Sequence, residues 1–282
     1  MPEAMPHRLS IVIVTYNSLR HIGACLDSIL KEPPHVAHEI VVVDNASPDG
    51  TGAAIRAQWP GVRVIDAGAN LGFARANNVG IRSTTGDLLL LLNPDTLVPA
   101  GAIDTLILAL DQRPEVAVVG PRLVDEQGRG ELSFGSMLSP WAELRQKTLV
   151  FGNERGIFPI AGYVQALTRR ARTTDWVSGA CLLVWRADAE AAGLLDERYF
   201  MYVEDVDFCA AIRARGRTVA FVPSVEVIHR RGLSRATAAS ATERAYRSSQ
   251  MAFYEKHHPG WVGPLRAYLK IRGKLPDTSN TS

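Results

Sequence analysis

Asn93-Pro94-Asp95 follows an unbroken leucine run, Leu88 to Leu92. Proline stiffens such a turn, so two polar side chains can project from the end of a strand. A hard divalent cation on a diphosphate takes oxygen ligands, and Mg2+ commonly draws only one or two protein carboxylates. Asp95 is sufficient for that role, with Asn93 a neutral neighbour to ribose, phosphate or a metal-bound water. Taken alone, the same three residues read equally well as a turn that caps the next helix.

Residues 196–207, Asp-Glu-Arg-Tyr-Phe-Met-Tyr-Val-Glu-Asp-Val-Asp, are the most acidic-aromatic mixture in the chain. Glu204 and Asp205 stand where a loop should become a helix. A helix N-terminus stabilises a carboxylate, while neighbouring acids oppose its ionisation. A hydroxyl that attacks a substrate needs such a base within hydrogen-bond reach. For Glu204 or Asp207 singly, a first-turn charge that merely favours the helix is the preferred reading.

Three further places carry polar groups at strand ends. Thr15-Tyr16-Asn17 and Asp44-Asn45 each close an apolar run. Asp44 can accept hydrogen bonds from a base imide or ribose hydroxyls, or bind only nearby backbone in an Asx-turn; Ser47 and Asp49 are better helix-capping candidates. His229-Arg230-Arg231 could complete a metal shell or face phosphate, although a lone histidine is more often structural. The stretch from Gly68 to Gly80 resembles a glycine-rich loop entering a helix but has neither the P-loop lysine signature nor GxGxxG spacing. Arg75 and backbone N–H groups there could meet base or phosphate, and Asn77 and Asn78 are expected to bond locally. His257-His258 reads as a helix end with no chemistry assigned.

These groups need a scaffold. Short β-branched or leucine runs at 10–14, 39–43, 62–65 and 87–92 alternate with helical patterns at 19–30, about 51–59, 73–82 and 101–112. Apolar strands interleaved with helices imply a mainly parallel α/β sheet covered on both faces. Ligands of such sheets bind beyond the carboxyl ends of the strands, where the polar residues lie. A fifth strand is expected at 116–120. Residues 123–174 lose periodicity and read as a variable insertion. Residues 176–185 read as one strand-like run, 205–215 as a helix stopped by Gly216, 218–222 as a strand, 225–231 as a strand-like run, and 242–257 as a helix.

Composition limits the function classes. A chain of 282 residues with 46% hydrophobic and 21% charged content is an ordinary globular protein, and a net charge of +2 gives no case for nucleic-acid binding. Three cysteines without metal-ligand spacing fit a reducing cytoplasmic compartment. No signal peptide or membrane-spanning run is read. Residues 261–274 interleave aromatic and basic side chains, a pattern compatible with peripheral attachment to anionic membrane. Gly263, Pro264 and Gly273 favour instead a helix packed on the domain with a solvated basic face.

In order along the chain, Val12-Ile13-Val14-Thr15-Tyr16-Asn17, Val41-Val42-Val43-Asp44-Asn45-Ala46-Ser47, Asn70-Leu71-Gly72-Phe73-Ala74, Leu91-Leu92-Asn93-Pro94-Asp95, Ser178-Gly179-Ala180 and Tyr202-Val203-Glu204-Asp205-Val206-Asp207 resemble the family 2 glycosyltransferases. The resemblance is strongest to their rhamnosyltransferase-like branch. It spans about residues 9–232 and is weakest at 123–174. It implies the GT-A fold, Rossmann-like with a mainly parallel sheet flanked by helices. One domain over 1–276 is expected, with a nucleotide-sugar half at 9–122, an acceptor and catalytic half at 123–232, a helical segment at 233–276 and a disordered tail at 277–282.

The resemblance also implies roles. Thr15, Tyr16, Asn17 and Asp44 would serve the nucleoside, with Arg75 near base or phosphate and Asn93 beside the donor. Asp95 would hold a divalent metal, Mn2+ or Mg2+, with His229 a further ligand. Asp205 would be the general base, with Gly179, Ala180 and Glu204 on the acceptor side. Many relatives carry Asp-x-Asp at the turn, whereas this chain has Asn93 in the first place. The implied reaction is an inverting transfer from a dTDP- or UDP-sugar, dTDP-rhamnose first, to a cell-surface polysaccharide or lipid-linked glycan. Two rivals remain at this point. A nucleotidyltransferase would open with a glycine- and basic-rich phosphate loop, which residues 14–18 lack; the other rival is a non-catalytic nucleotide-sugar-binding module.

Overall fold

The computed structural model describes residues 7–230 and 239–276. The amino-terminal part alternates strands and helices: β1 (Arg8–Thr15), α1 (Ile22–Leu30), β2 (Ala37–Asp44), α2 (Thr51–Gln58), β3 (Arg63–Asp66), α3 (Phe73–Arg82) and β4 (Leu88–Leu92). β1 lies between β2 and β4, β3 flanks β2, and all four are parallel. Successive side chains on a strand point to opposite faces. Leu88, Leu90 and Leu92 therefore join Leu26 and Leu106 in one apolar layer, while Leu89 and Leu91 join Phe208 and Phe253 in the other. A run of leucines is what a strand buried on both faces requires.

The chain continues through β5 (Thr96–Leu97), α4 (Ala102–Asp111), β6 (Val116–Val124), β7 (Phe134–Gly135), α5 (Pro140–Glu154), α6 (Ile160–Leu167), β8 (Arg172–Thr174), β9 (Trp176–Val177), β10 (Cys181–Trp185), α7 (Arg186–Ala191), α8 (Glu204–Ala214) and β11 (Thr218–His229). Helix α9 (Ala239–His257), a 3-10 turn at Pro259–Trp261 and α10 (Val262–Ile271) end the described residues. The main sheet runs β3-β2-β1-β4-β10-β6-β11-β5, with β8 also on β11. β10 is antiparallel to β4 and β6, so the start of β10 lies beside the end of β4.

Several sequence expectations change. Residues 123–174 hold two helices; Ser139 caps α5 by accepting the Ala142 N–H, with Pro140 in the first turn. The expected run at 176–185 is broken at 178–180: β9 pairs with β7 in a separate small sheet, and β10 enters the main one. The runs at 218–222 and 225–229 are one strand, irregular between Val222 and Glu226. Arg231 and the tail from 277 lie outside the described residues.

Two buried acids dock α9. Glu143 of α5 accepts from the Gln250 amide and the Tyr254 hydroxyl (2.9 Å). Asp207 of α8 accepts from the Tyr199 hydroxyl (3.1 Å) and Lys256 (2.8 Å), and faces His257 Nε2 at 2.6 Å. Asp207 is thus a buried anchor rather than a solvated first-turn charge, and His257 belongs to that anchor. Among the described residues, no helix is long and apolar enough to cross a membrane.

Candidate active site

Parallel pairing sets Thr15 opposite Asp44 at the ends of β1 and β2. Asp44 is buried, and its Oδ1 accepts from Thr15 Oγ1 (3.1 Å) and from Ser47 Oγ. The Thr15 side chain is fully buried, whereas Tyr16 beside it is exposed. Asn17 and Ala46, just past the two strand ends, both have positive φ (54° and 58°). Asn17 donates its N–H to Ser47 Oγ (3.0 Å), and Leu19 donates to Asp49 Oδ2 (3.0 Å), so the two strand-end loops are laced together. Burial opposes the charge on Asp49, yet hydrogen bonds from Thr51 and Leu19 outweigh it and hold its carboxyl below the usual range.

Asn45 carries the order onward. Its side chain donates to Gly72 O (3.2 Å) and accepts from Leu71 N (3.3 Å). Phe73 N–H, at the start of α3, donates to Phe200 O at 2.6 Å. One turn into α3, Arg75 pairs with Glu197 at 3.7 Å, a carboxylate it shares with Arg82. Asn77 bonds locally, to Phe73 O, but Asn78 reaches Leu195 O and Glu197 and pins α3 to the loop before α8.

The Asn93-Pro94-Asp95 turn is held from both sides. Asn93 N–H donates to Ala180 O (2.9 Å), its carbonyl accepts from Thr96 Oγ1 (2.7 Å), and Arg230 N–H donates to Asp95 O (2.9 Å). β11 pairs antiparallel with β5 and sets His229 opposite Thr96, which delivers the imidazole to the turn. His229 Nε2 lies 3.4 Å from Asp95 Oδ1 and 3.4 Å from Asn93 Nδ2. Its Nδ1 lies 3.4 Å from Glu131 Oε2, a residue absent from the sequence expectations. Burial drives the imidazole toward its neutral form, but the Asp95 and Glu131 carboxylates outweigh it and leave its pKa above the ordinary histidine value. Arg230 forms an ion pair with Glu126 at 2.9 Å.

Across residues 178–180 from this turn, Tyr202 and Val203 both have φ near 70° directly before α8. Left-handed backbone is strained for a bulky or β-branched residue, and Tyr202 followed by Val203 marks a turn imposed by its surroundings. They deliver Asp205 so that Oδ2 accepts the Gly179 N–H (2.9 Å) and Oδ1 accepts the Val206 N–H (2.8 Å). Gly179 is packed closely: an added Cβ would lie 3.3 Å from the Phe73 ring and 3.4 Å from Asp205 Cβ. The next residue, Ala180, holds Asn93, so residues 179–180 join Asp205 to the turn. Glu204 is buried, and among the described residues its Oε2 has no hydrogen-bond partner. Burial, then the adjacent Asp205 charge, pushes its pKa well above the ordinary value.

Among the described residues, no three His, Cys, Asp or Glu side chains are gathered as a complete metal shell. Asp95 and His229 nevertheless stand side by side, an oxygen and a nitrogen donor. Cations on diphosphates commonly take only one or two protein ligands and fill the remainder with phosphate oxygens and water, so this pair fits the implied metal. Glu131 on the far imidazole nitrogen is the carboxylate partner that a metal-bound histidine usually has.

Residues 10–172 match the family model described as Glycosyl transferase family 2. N-acetylglucosaminyl-diphospho-decaprenol L-rhamnosyltransferase of Mycobacterium tuberculosis is 32% identical over 279 residues, covering 95% of this chain and 90% of its own. Rhamnosyltransferase WbbL of Escherichia coli K12 is 23% identical over 226 residues, 78% of this chain and 82% of that one. A mannosyltransferase from Pyrobaculum calidifontis, solved with GDP-Man and Mn2+, superposes with a TM-score of 0.62 at 19% identity, covering 93% of this chain and 69% of that one. With that fold, the ordered strand-end residues and these relatives, the chain belongs to glycosyl transferase family 2 and is a glycosyltransferase of the GT-A fold.

Proposed function

We propose that this enzyme is an inverting L-rhamnosyltransferase that takes rhamnose from a dTDP-linked donor and places it on a hydroxyl of a lipid-linked glycan. The observation that carries the reading is the continuity from Asp205 through Gly179 and Ala180 to Asn93: one backbone segment spaces a base from the diphosphate side. The names of the M. tuberculosis and E. coli relatives support rhamnose, and the former supports a lipid-linked acceptor. Residues 9–122 would then serve the donor and residues 123–232 the acceptor, at the cytoplasmic face of the membrane that carries the lipid.

Each side chain has a part in that reaction. Asp44, steadied by Thr15 and Ser47, receives ribose or base, with Tyr16 and Asn17 at the same rim. Asp95 and His229 would hold Mn2+ or Mg2+, which when bound neutralises negative charge on the leaving diphosphate. Asp205 takes the proton from the acceptor hydroxyl as its oxygen attacks the anomeric carbon and the bond to the diphosphate breaks. Attack opposite the leaving group inverts the anomeric centre. Gly179, lacking a side chain, lets the base and the Phe73 ring approach.

A panel of nucleotide-sugars with and without Mn2+ or Mg2+, scored for transfer to a short lipid-diphosphate glycan, tests the reading. dTDP-rhamnose should be consumed fastest, giving a product of inverted anomeric configuration. Pyrophosphate release from sugar phosphate and a nucleoside triphosphate would indicate a nucleotidyltransferase instead, and donor binding without transfer to any acceptor would indicate a binding module.

A further inference from the structure

Helix α5 has an anchored inner face and an apolar outer one. Inward, Glu143 binds Gln250 and Tyr254 of α9, and Gly152 lies against Ile160 of α6. Outward, Trp141, Leu144 and Phe151 recur at steps of three and seven residues, a single helical stripe. Trp141 is 74% exposed, and Phe158 in the α5–α6 turn is 90% exposed. Soluble surfaces rarely gather so many large apolar side chains without a partner.

The charge around the stripe says what that partner is. Arg145 and Arg155 on or beside α5 and Arg169 and Arg170 beyond α6 are exposed, against one exposed acid, Glu154, while Lys147 turns inward to Glu143. Arg155 stacks 3.8 Å over the Phe151 ring, and Arg145 reaches the Tyr163 hydroxyl at 3.5 Å. Aromatic rings flanked by cations suit the interface of an anionic bilayer, where rings sit at headgroup depth and cations meet lipid phosphates. The carboxy-terminal basic segment is a poorer candidate. Leu269 of α10 is buried, and Lys274 and Arg266 already pair with Glu243 and Glu255.

We propose that the outer face of α5 with the α5–α6 turn is a docking surface for anionic phospholipid, holding the acceptor side of the enzyme against the bilayer. The surface connects to that side. α5, β7 and β8 line an open pocket of about 230 Å3 that includes Phe134, Arg145 and Arg172, and the Ser133 carbonyl beside β7 accepts the N–H of Ser178, the neighbour of Gly179. The inference rests on the reading of a lipid-linked acceptor, whose head group stays at the bilayer surface.

Flotation of the full chain with vesicles of phosphatidylglycerol and phosphatidylcholine tests it. The wild type should float with these vesicles, not with phosphatidylcholine alone, and should release at about 1 M salt, where screening shortens to ~3 Å. Trp141→Ser/Phe151→Ser/Phe158→Ser alters only exposed side chains and should lose binding by about tenfold or more, with unchanged melting and unchanged transfer to a water-soluble acceptor. Trp261→Ser/Tyr268→Ser should float like the wild type. A triple variant that floats fully overturns the proposal. So does a wild type that pairs in solution through this face, seen by light scattering as a dimer that the triple variant abolishes. Flotation requires neither donor nor acceptor, so a chain that floats without transferring sugar contradicts the reading of its activity and leaves the docking surface standing.

Discussion

The backbone N–H of Gly179 donates a 2.9 Å hydrogen bond to the Asp205 carboxylate, and an added Cβ on Gly179 would lie 3.4 Å from Asp205 Cβ. The proposed base is therefore oriented by the bare backbone that also carries Ala180, the partner of Asn93. Its position depends on two strained residues before it and on the Phe200 carbonyl that meets the start of α3.

Glu204, one residue from the base, should cost stability at neutral pH. Burial and then the Asp205 charge raise its folded-state pKa. A raised pKa gives a contribution present in full below the ordinary carboxyl range and lost as pH rises through the raised value. Glu204→Gln removes that loss. At about pH 8 the variant should melt above the wild type, by about 2–4 °C for each kcal/mol recovered, and the gap should close near pH 4. Equal melting curves at both pH values would contradict the burial of a charge-prone acid.

Gly72→Ala should damage catalysis and stability together. Gly72 has φ of 80°, and an added Cβ would lie 2.3 Å from the Phe200 carbonyl oxygen. Left-handed strain alone costs about 1–3 kcal/mol, and the clash must also displace the loop that leads to Asp205. Gly101→Ala is the control for a positive φ without crowding, with φ of 71°, ψ of -3° rather than the 179° of Gly72, and nothing within 4 Å. Both variants should melt lower, but only Gly72→Ala should lose kcat. Equal activity in the two would mean that the Phe200 contact does not set the base.

The sequence made the first sheet legible because each strand announces itself twice, by a β-branched or leucine run and by the polar residues at its end. Asp44, Asn93 and Asp95 stand out as candidates that way. Glu131 does not, because it lies in an aperiodic stretch and meets His229 across 98 positions. Helix α5 was missed for a physical reason: Trp141, Leu144 and Phe151 point outward, so the apolar pattern does not mark a buried face. Ser139-Pro140 was the available signal, a cap followed by proline in the first turn. The break at 178–180 was hidden because both flanks are apolar and only Gly179 marks the bend.

Metal binding should depend on three side chains to different degrees. Calorimetric titration of Mn2+ into enzyme saturated with dTDP should show no binding for Asp95→Ala. His229→Ala should weaken it strongly, and Glu131→Ala, which frees the far imidazole nitrogen, by about 10-fold to 100-fold. Unchanged affinity in Asp95→Ala would remove the turn from the metal site.

Asp205→Asn is the most direct test of the account. It keeps the side chain's size while removing the proton acceptor, and the loss of a general base typically costs about 10²-fold to 10⁴-fold. The account predicts a kcat reduced by that order with the dissociation constant for dTDP-rhamnose unchanged, measured on one preparation by transfer assay and calorimetry. An Asp205→Asn enzyme that transfers sugar at the wild-type rate would contradict it.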